Sequence, residues 1–317
     1  MSTLARRTAV HEGLRKTLNI GLDLGADAER GWTVIATREL FARCADAGFT
    51  GVRLVVSLAA HRDGDRLDAE ALEGIRSAVE TAEDTGLGIA VANQLDPDLM
   101  RDPAGQRDRA LVGVRSLAGL IADAGPTVAL EPLAEPSGAL DANWNELLAD
   151  VIRVCRSEDP ERTLLVGPAG YNNARFLERL RLPAGEENVI VDLHQYWPIR
   201  FTMQGETWLG STELGDPASW IGTTWEGDAQ QRGELEAGYG AVAGFAATTG
   251  LPVFIGEFGT TNNADAASRS RWTAFNRELA EQHGFAWGYW SYGPSFGLVD
   301  PSTGEWDADL LHALLPR

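Results

Sequence analysis

Eight times along the chain a short apolar run is followed by a segment with helical spacing. The runs are 18–24 (LNIGLDL), 51–57 (GVRLVVS), 87–93 (LGIAVAN), 127–131 (TVALE), 163–167 (TLLVG), 189–194 (VIVDLH), 252–257 (PVFIGE) and 285–290 (FAWGYW). Most are continuous rather than alternating, the pattern of a parallel sheet covered on both faces. Between them Leu72, Ile75 and Val79, then Leu111, Val114, Leu117 and Ile121, and later Trp272, Phe275 and Leu279 recur at helical intervals. Asp141 is placed to cap a helix through Leu147, Val151 and Cys155, and 307–315 supplies the last helix. Eight strand–helix pairs in strict alternation predict an α/β chain folded as one (β/α)8 TIM barrel over 1–317. An open doubly wound sheet is the alternative, but neither a G-x-G-x-x-G fingerprint nor a P-loop accompanies it.

A chain of 317 residues can bury a barrel core without disulfides or metals. Cys44 and Cys155 fall in different helical segments, so two buried free thiols are expected. The formal charge of −19, from 46 acids against 27 bases, argues against nucleic acid or an anionic membrane as partner. It leaves a neutral or cationic small molecule, or an oligosaccharide, as the ligand. Residues 1–16 carry Arg6 and Arg7 with no apolar run after them. They read as a flexible N-terminal extension rather than a signal peptide or membrane span. The expected compartment is cytoplasmic, or extracellular if an export signal has been removed.

In a barrel the active site lies at the C-terminal ends of the strands. The fourth run continues VALEPLAEP, with Glu131 inside the strand and Glu135 just beyond it. The seventh ends FIGEFG at Glu257, the sixth delivers His194 and Tyr196, the eighth ends at Trp290, and the second carries Arg53. Charged residues in apolar strands need a partner or a task. Two facing carboxylates suit hydrolysis of a glycosidic bond, one protonated toward the leaving oxygen and one ionised toward the anomeric carbon. A separation of about 5–5.5 Å would mean a retaining double displacement. Arg53 would hold the nucleophile ionised, and Tyr196 would hydrogen-bond it. Glu131 reads as a buried supporting acid.

VRLVV, LEPLAEP, DLHQYWPIRFTMQG, FIGEFG and WGYWSY, in that order and spacing, resemble glycoside hydrolase family 5, the cellulase-like family of retaining barrels. The resemblance implies Glu135 as acid/base, Glu257 as nucleophile, Arg53 beneath it, His194 and Tyr196 as the sixth-strand pair, and Trp290 as the sugar platform. Three positions depart from the family pattern. Ala134 stands where the family has the asparagine of Asn-Glu-Pro, which contacts the sugar 2-hydroxyl; VANQLDPD lacks the third-strand histidine; and Met203 replaces the histidine of Phe-Thr-His-Gln-Gly.

Residues 197–232 form a long insertion between the sixth strand and its helix, carrying Trp197, Trp208, Trp220 and Trp225. A loop of that length is usually functional, and indole faces suit pyranose rings, although such a loop also buries its own aromatics. Met203 would fill a gap there. His11, His61, His283 and His312 show no ligand-like spacing, and no G-x-S-x-G elbow occurs, so neither a metal, a cofactor nor a serine nucleophile is expected. The leading reading is a retaining β-glycosidase acting on a β-glucan, β-mannan or β-glucoside. The second is a glycosidase-like barrel turned to non-hydrolytic acid/base chemistry on an intracellular small molecule, as a cyclisation or rearrangement. The third is a non-catalytic carbohydrate-binding barrel. Sugar, linkage and oligomeric state stay open.

Overall fold

Each of the eight apolar runs forms a strand, and the strands close on themselves. The computed structural model describes residues 1–21, 36–60, 62–63, 66–67, 69–94, 96–293, 295–300 and 302–316. The strands are β1 (Lys16–Gly21), β2 (Gly51–Val56), β3 (Gly88–Gln94), β4 (Val128–Ala134), β5 (Thr163–Val166), β6 (Val189–Gln195), β7 (Val253–Phe258) and β8 (Ala286–Tyr289). They pair in parallel around a closed barrel in which β1 meets both β2 and β8. Positions 22–24 of the first run, and His61, lie outside the described residues.

Inward-facing positions stack in layers. Ala90, Ala129, Leu165, Ile190, Phe254 and Ala286 form a fully buried apolar floor with Val10 and Leu14. Two residues further along the strands the interior turns polar, with Asn19, Arg53, Glu131 and Asp192 all fully buried. Two strands lack a side chain at this level because neighbours occupy the space: a Cβ on Gly256 would lie 2.0 Å from Asp192 Oδ1, and one on Gly288 only 2.5 Å from the Gly256 carbonyl. β4 runs on through Pro132, at a register shift against β3 where no ladder N–H is required of it.

The N-terminus corrects the expectation of a flexible extension. Helix α1 (Thr3–Gly13), capped by Ser2, directs Val10 and Leu14 into the barrel floor. The small alanines of the floor leave room that those two side chains fill. With Val10 the one fully buried residue inside the helix, its sequence shows no apolar stripe.

The outer helices are α2 (Arg38–Ala47), α3 (Ala69–Thr85), α4 (Pro103–Leu120), α5 (Trp144–Glu158), α6 (Ala229–Thr249), α7 (Ala266–Gln282) and α8 (Ala308–Leu314). The strict alternation fails once: β5 and β6 are joined through a 3-10 segment, Ala174–Arg179, instead of an α-helix. Asp141 does not cap α5; its Oδ1 accepts the Gly170 N–H, and Asn143 flanks the helix without a side-chain cap. The insertion after β6 ends at Asp228, which caps α6, and it contains a short helix Ile199–Thr202 with 3-10 turns at Thr207–Leu209 and Pro217–Trp220. Cys44 and Cys155 are buried and free.

Candidate active site

The polar interior layer is organised by Arg53. Its Nε donates to Glu131 Oε2 at 2.7 Å, and its Nη1 donates to Glu257 Oε1 at 2.7 Å and to Asn19 Oδ1 at 2.8 Å. Asn19 is fixed in turn by donating to the carbonyls of Gly256 and Tyr289. Arg53 and Glu131 are fully buried, so this guanidinium is a charge held in place by partners rather than by water.

Above this layer the strand tips converge. Tyr196 O–H donates to Glu257 Oε2 at 2.9 Å, and His194 Nδ1 lies 2.8 Å from Glu135 Oε1 and 3.5 Å from Glu257 Oε2. One oxygen each of Glu135 and Glu257, with a ring nitrogen of His194, all fall within 4.8 Å of one another. Glu257 has 7% of its side chain exposed and Glu135 23%, so the pair sits at an opening rather than behind a wall.

Burial alone would lower the basicity of His194. The Glu257 charge and hydrogen bonds with Asp192 and Glu135 outweigh it and hold the imidazole well above its ordinary value. Burial also raises the Tyr196 phenol, helped by the charges of Glu257 and Glu135, so it remains an O–H donor throughout the neutral range.

The backbone around the site is unusual. Glu135 takes φ +54°, with Tyr171 at +64° and Asn172 at +53° after β5. Non-glycine residues in this left-handed region cost on the order of 1 kcal/mol and persist only where surroundings hold them. Here the Tyr171 N–H donates to the Pro136 carbonyl, and the His194 N–H to that of Asn172, locking the β4 and β5 tips to β6. The Asn172 side chain donates to Asp192 Oδ2 at 3.1 Å and lies 3.4 Å from His194 Nε2.

Arg53, Glu135, His194, Tyr196 and Glu257 thus form one network, as their strand positions lead one to expect. Trp290 and Tyr196 pack against a cluster of Met203, Trp220 and Phe296, which places Met203 in an apolar wall beside the site. Ala134 is fully buried, with Gln94 as its register partner on β3. Trp197 and Trp208 are 44% and 67% exposed, their indole N–H groups donating to Glu234 and Glu206, while Trp220 and Trp225 pack inside the protein. Asn19, Asn172 and Asp192 were not singled out from the sequence. Asn19 and Asp192 carried a usable signal, a polar residue at an inward position of an apolar run; Asn172 lies in a connection and carried none.

Among the described residues the carboxylates could offer ligands to a cation at two places, Glu131–Asp192–His194 and Glu135–His194–Glu257. Arg53 already supplies positive charge to Glu131 and Glu257, and a protonated His194 would repel a second cation.

The family model Cellulase (glycosyl hydrolase family 5) matches residues 21–296. The chain belongs to glycosyl hydrolase family 5. Among curated relatives, Endoglucanase B of Neocallimastix patriciarum is 24% identical over 299 residues, covering 85% of this chain and 60% of its own length. Endoglucanase 3 of Fibrobacter succinogenes is 27% identical over 186 residues, covering 50% of this chain and 28% of the relative. The chain therefore spans between about a quarter and two-thirds of the curated relatives it matches. Among solved structures, Cel5A of Thermotoga maritima in complex with cellobiose superposes with a TM-score of 0.89 at 29% identity, covering 99% of this chain and 100% of that one. The same enzyme in complex with mannotriose gives 0.89 at 28% identity, again covering 99% and 100%.

Proposed function

We propose that this family 5 barrel is a retaining β-glycosidase acting on β-linked gluco- or manno-oligosaccharides, with Glu257 as nucleophile and Glu135 as acid/base. The observation that carries this reading is the carboxylate pair, with oxygens inside 4.8 Å of each other and only Glu257 gripped by the Arg53 guanidinium. Retaining enzymes hold their carboxyls about 5–5.5 Å apart, whereas inverting ones need about 6.5–9.5 Å to admit a water.

Roles follow from the surroundings. Glu257 receives Arg53 and Tyr196, two donors that favour its anion, and is the more buried of the two. Glu135 is nearer solvent and hydrogen-bonded to His194, where a proton can be given and recovered. In the first step Glu257 attacks the anomeric carbon while Glu135 protonates the departing glycosidic oxygen, leaving a covalent glycosyl–enzyme. In the second, Glu135 takes a proton from the water that attacks the same carbon, and Glu257 departs as carboxylate. Trp290 and the exposed Trp197 and Trp208 would offer stacking surfaces to sugar rings. The cellobiose and mannotriose complexes of the Thermotoga maritima enzyme are the basis for the choice of sugars.

The apolar wall at Met203 favours a second reading, in which the same acids act without hydrolysis on a less polar small molecule. A 2-fluoro glycoside separates the two. A covalent adduct on Glu257, with hydrolysis of an aryl β-cellobioside abolished in Glu257→Gln, is the expected result. Equal, slow release of product by wild type and Glu257→Gln would end the glycosidase reading.

A further inference from the structure

Beneath the two catalytic candidates lies a second carboxyl pair. Glu131 and Asp192 project inward from β4 and β6, and both are fully buried. One oxygen of each carboxyl lies, with a ring nitrogen of His194, inside a 4.8 Å cluster. Glu131 Oε2 is taken by Arg53, and Asp192 Oδ2 by Asn172. The other two oxygens, Glu131 Oε1 and Asp192 Oδ1, are buried without a hydrogen-bond partner. Asp192 Oδ1 is also pressed toward the Gly256 backbone, where even a Cβ would lie 2.0 Å away.

Two ionised carboxylates are acceptors only, so they cannot hydrogen-bond each other. A single proton removes the repulsion and supplies the missing donor.

We propose that Glu131 and Asp192 share one proton, and that this pair is a positioning element keeping Arg53 available to Glu257. The charge balance of the cluster agrees. Arg53 and a protonated His194 contribute two positive charges against the carboxyls of Glu131, Asp192, Glu135 and Glu257. One proton on the buried pair and the acid's own proton on Glu135 bring the sum to zero. The remaining neighbours, Tyr196, Asn19 and Asn172, are neutral donors. Burial pushes the Glu131 carboxyl up to about 8 despite Arg53, in keeping with a proton retained near neutrality. Arg53 donates to both Glu131 and Glu257, so a Glu131 made neutral by the shared proton competes less for the guanidinium. Losing that proton draws Arg53 toward the lower pair.

The proton itself is tested without reference to any activity. Infrared difference spectra of the whole chain between about pH 6 and pH 9 should show a protonated-carboxyl C=O band that is lost at the higher pH. The band should shift on labelling with [δ-13C]glutamate, survive in Glu135→Gln, and be missing from both Glu131→Gln and Asp192→Asn. A wild-type spectrum without a label-sensitive band of that kind overturns the proposal, whether or not the variants fold. The positioning role rests on the glycosidase reading and is tested by pH profile. In Asp192→Asn, whose amide can donate to Glu131, the alkaline limb of kcat/KM should move by about one unit or more while KM changes less than about two-fold. Superimposable profiles refute the role. Absence of hydrolysis by wild type at every pH refutes the glycosidase reading, and with it this role, while the infrared band still decides the shared proton.

Discussion

Replacing Tyr196 by phenylalanine removes a single hydroxyl from the proposed nucleophile and little else. The ring stays in edge contact with Phe296, their centroids 6.1 Å apart, so the wall of the site is preserved. What disappears is the 2.9 Å donation to Glu257 Oε2, leaving that oxygen with only the 3.5 Å approach of His194 Nδ1. A hydrogen bond to a charged group contributes about 1.5–3 kcal/mol, which corresponds to about 10- to 150-fold in rate. The loss should fall on deglycosylation, because there the negative charge returns to Glu257 as it leaves the anomeric carbon. Pre-steady-state release of the aryl alcohol from an aryl β-cellobioside should therefore show a burst followed by a turnover slowed by that factor. The high Tyr196 pKa means that the wild-type donor persists across the assay range, so the ratio should vary little with pH. A change below about three-fold, or a rise in KM with kcat intact, would refute the argument that this hydroxyl stabilises the departing carboxylate.

Leu14→Ala should destabilise the barrel by about 2–5 kcal/mol, read as a lowered urea midpoint, because the side chain is fully buried in the floor. A loss below about 1 kcal/mol would mean that α1 is no plug. Trp208→Ala removes a 67% exposed indole and should raise KM for oligosaccharides about 2- to 10-fold with unchanged thermal stability. An unaltered KM would make that indole surface only. Stability should decline from about pH 5 toward pH 9. Glu131, raised from 4.5 to about 8, keeps in the native state a proton that the unfolded chain loses, a stabilisation present at acid pH and lost through that window. His194, also raised, acts in the same direction, its contribution full below its unfolded value of 6.5 and lost as pH rises through its higher native value. Asp192 is shifted the other way: burial opposes ionisation, but His194 and Arg53 outweigh it and lower its pKa, so its contribution is lost only as pH falls. Melting temperatures across this range should show the decline, with a flatter slope in Glu131→Gln; an identical slope would contradict it.

The sequence by itself determined the barrel and the five groups at its mouth. Continuous apolar runs can only be buried on both faces, and a charged residue stranded among them, such as Arg53 or Glu257, must find a partner inside. Period and polarity are local properties, so both could be read one residue after another. Only the tertiary structure decided what depends on residues distant in the chain. It turned residues 3–13 into the barrel's plug, because the need for Val10 and Leu14 arises from six small or apolar floor positions contributed by six strands. It placed Asn172 beside Asp192 and His194 through left-handed backbone that no spacing announces. Above all it brought carboxyl oxygens of Glu131 and Asp192, 61 residues apart in sequence, within 4.8 Å of each other in a fully buried layer. Whether a buried carboxyl carries a proton is set by the charges and donors the fold assembles around it, and a linear sequence does not contain those distances.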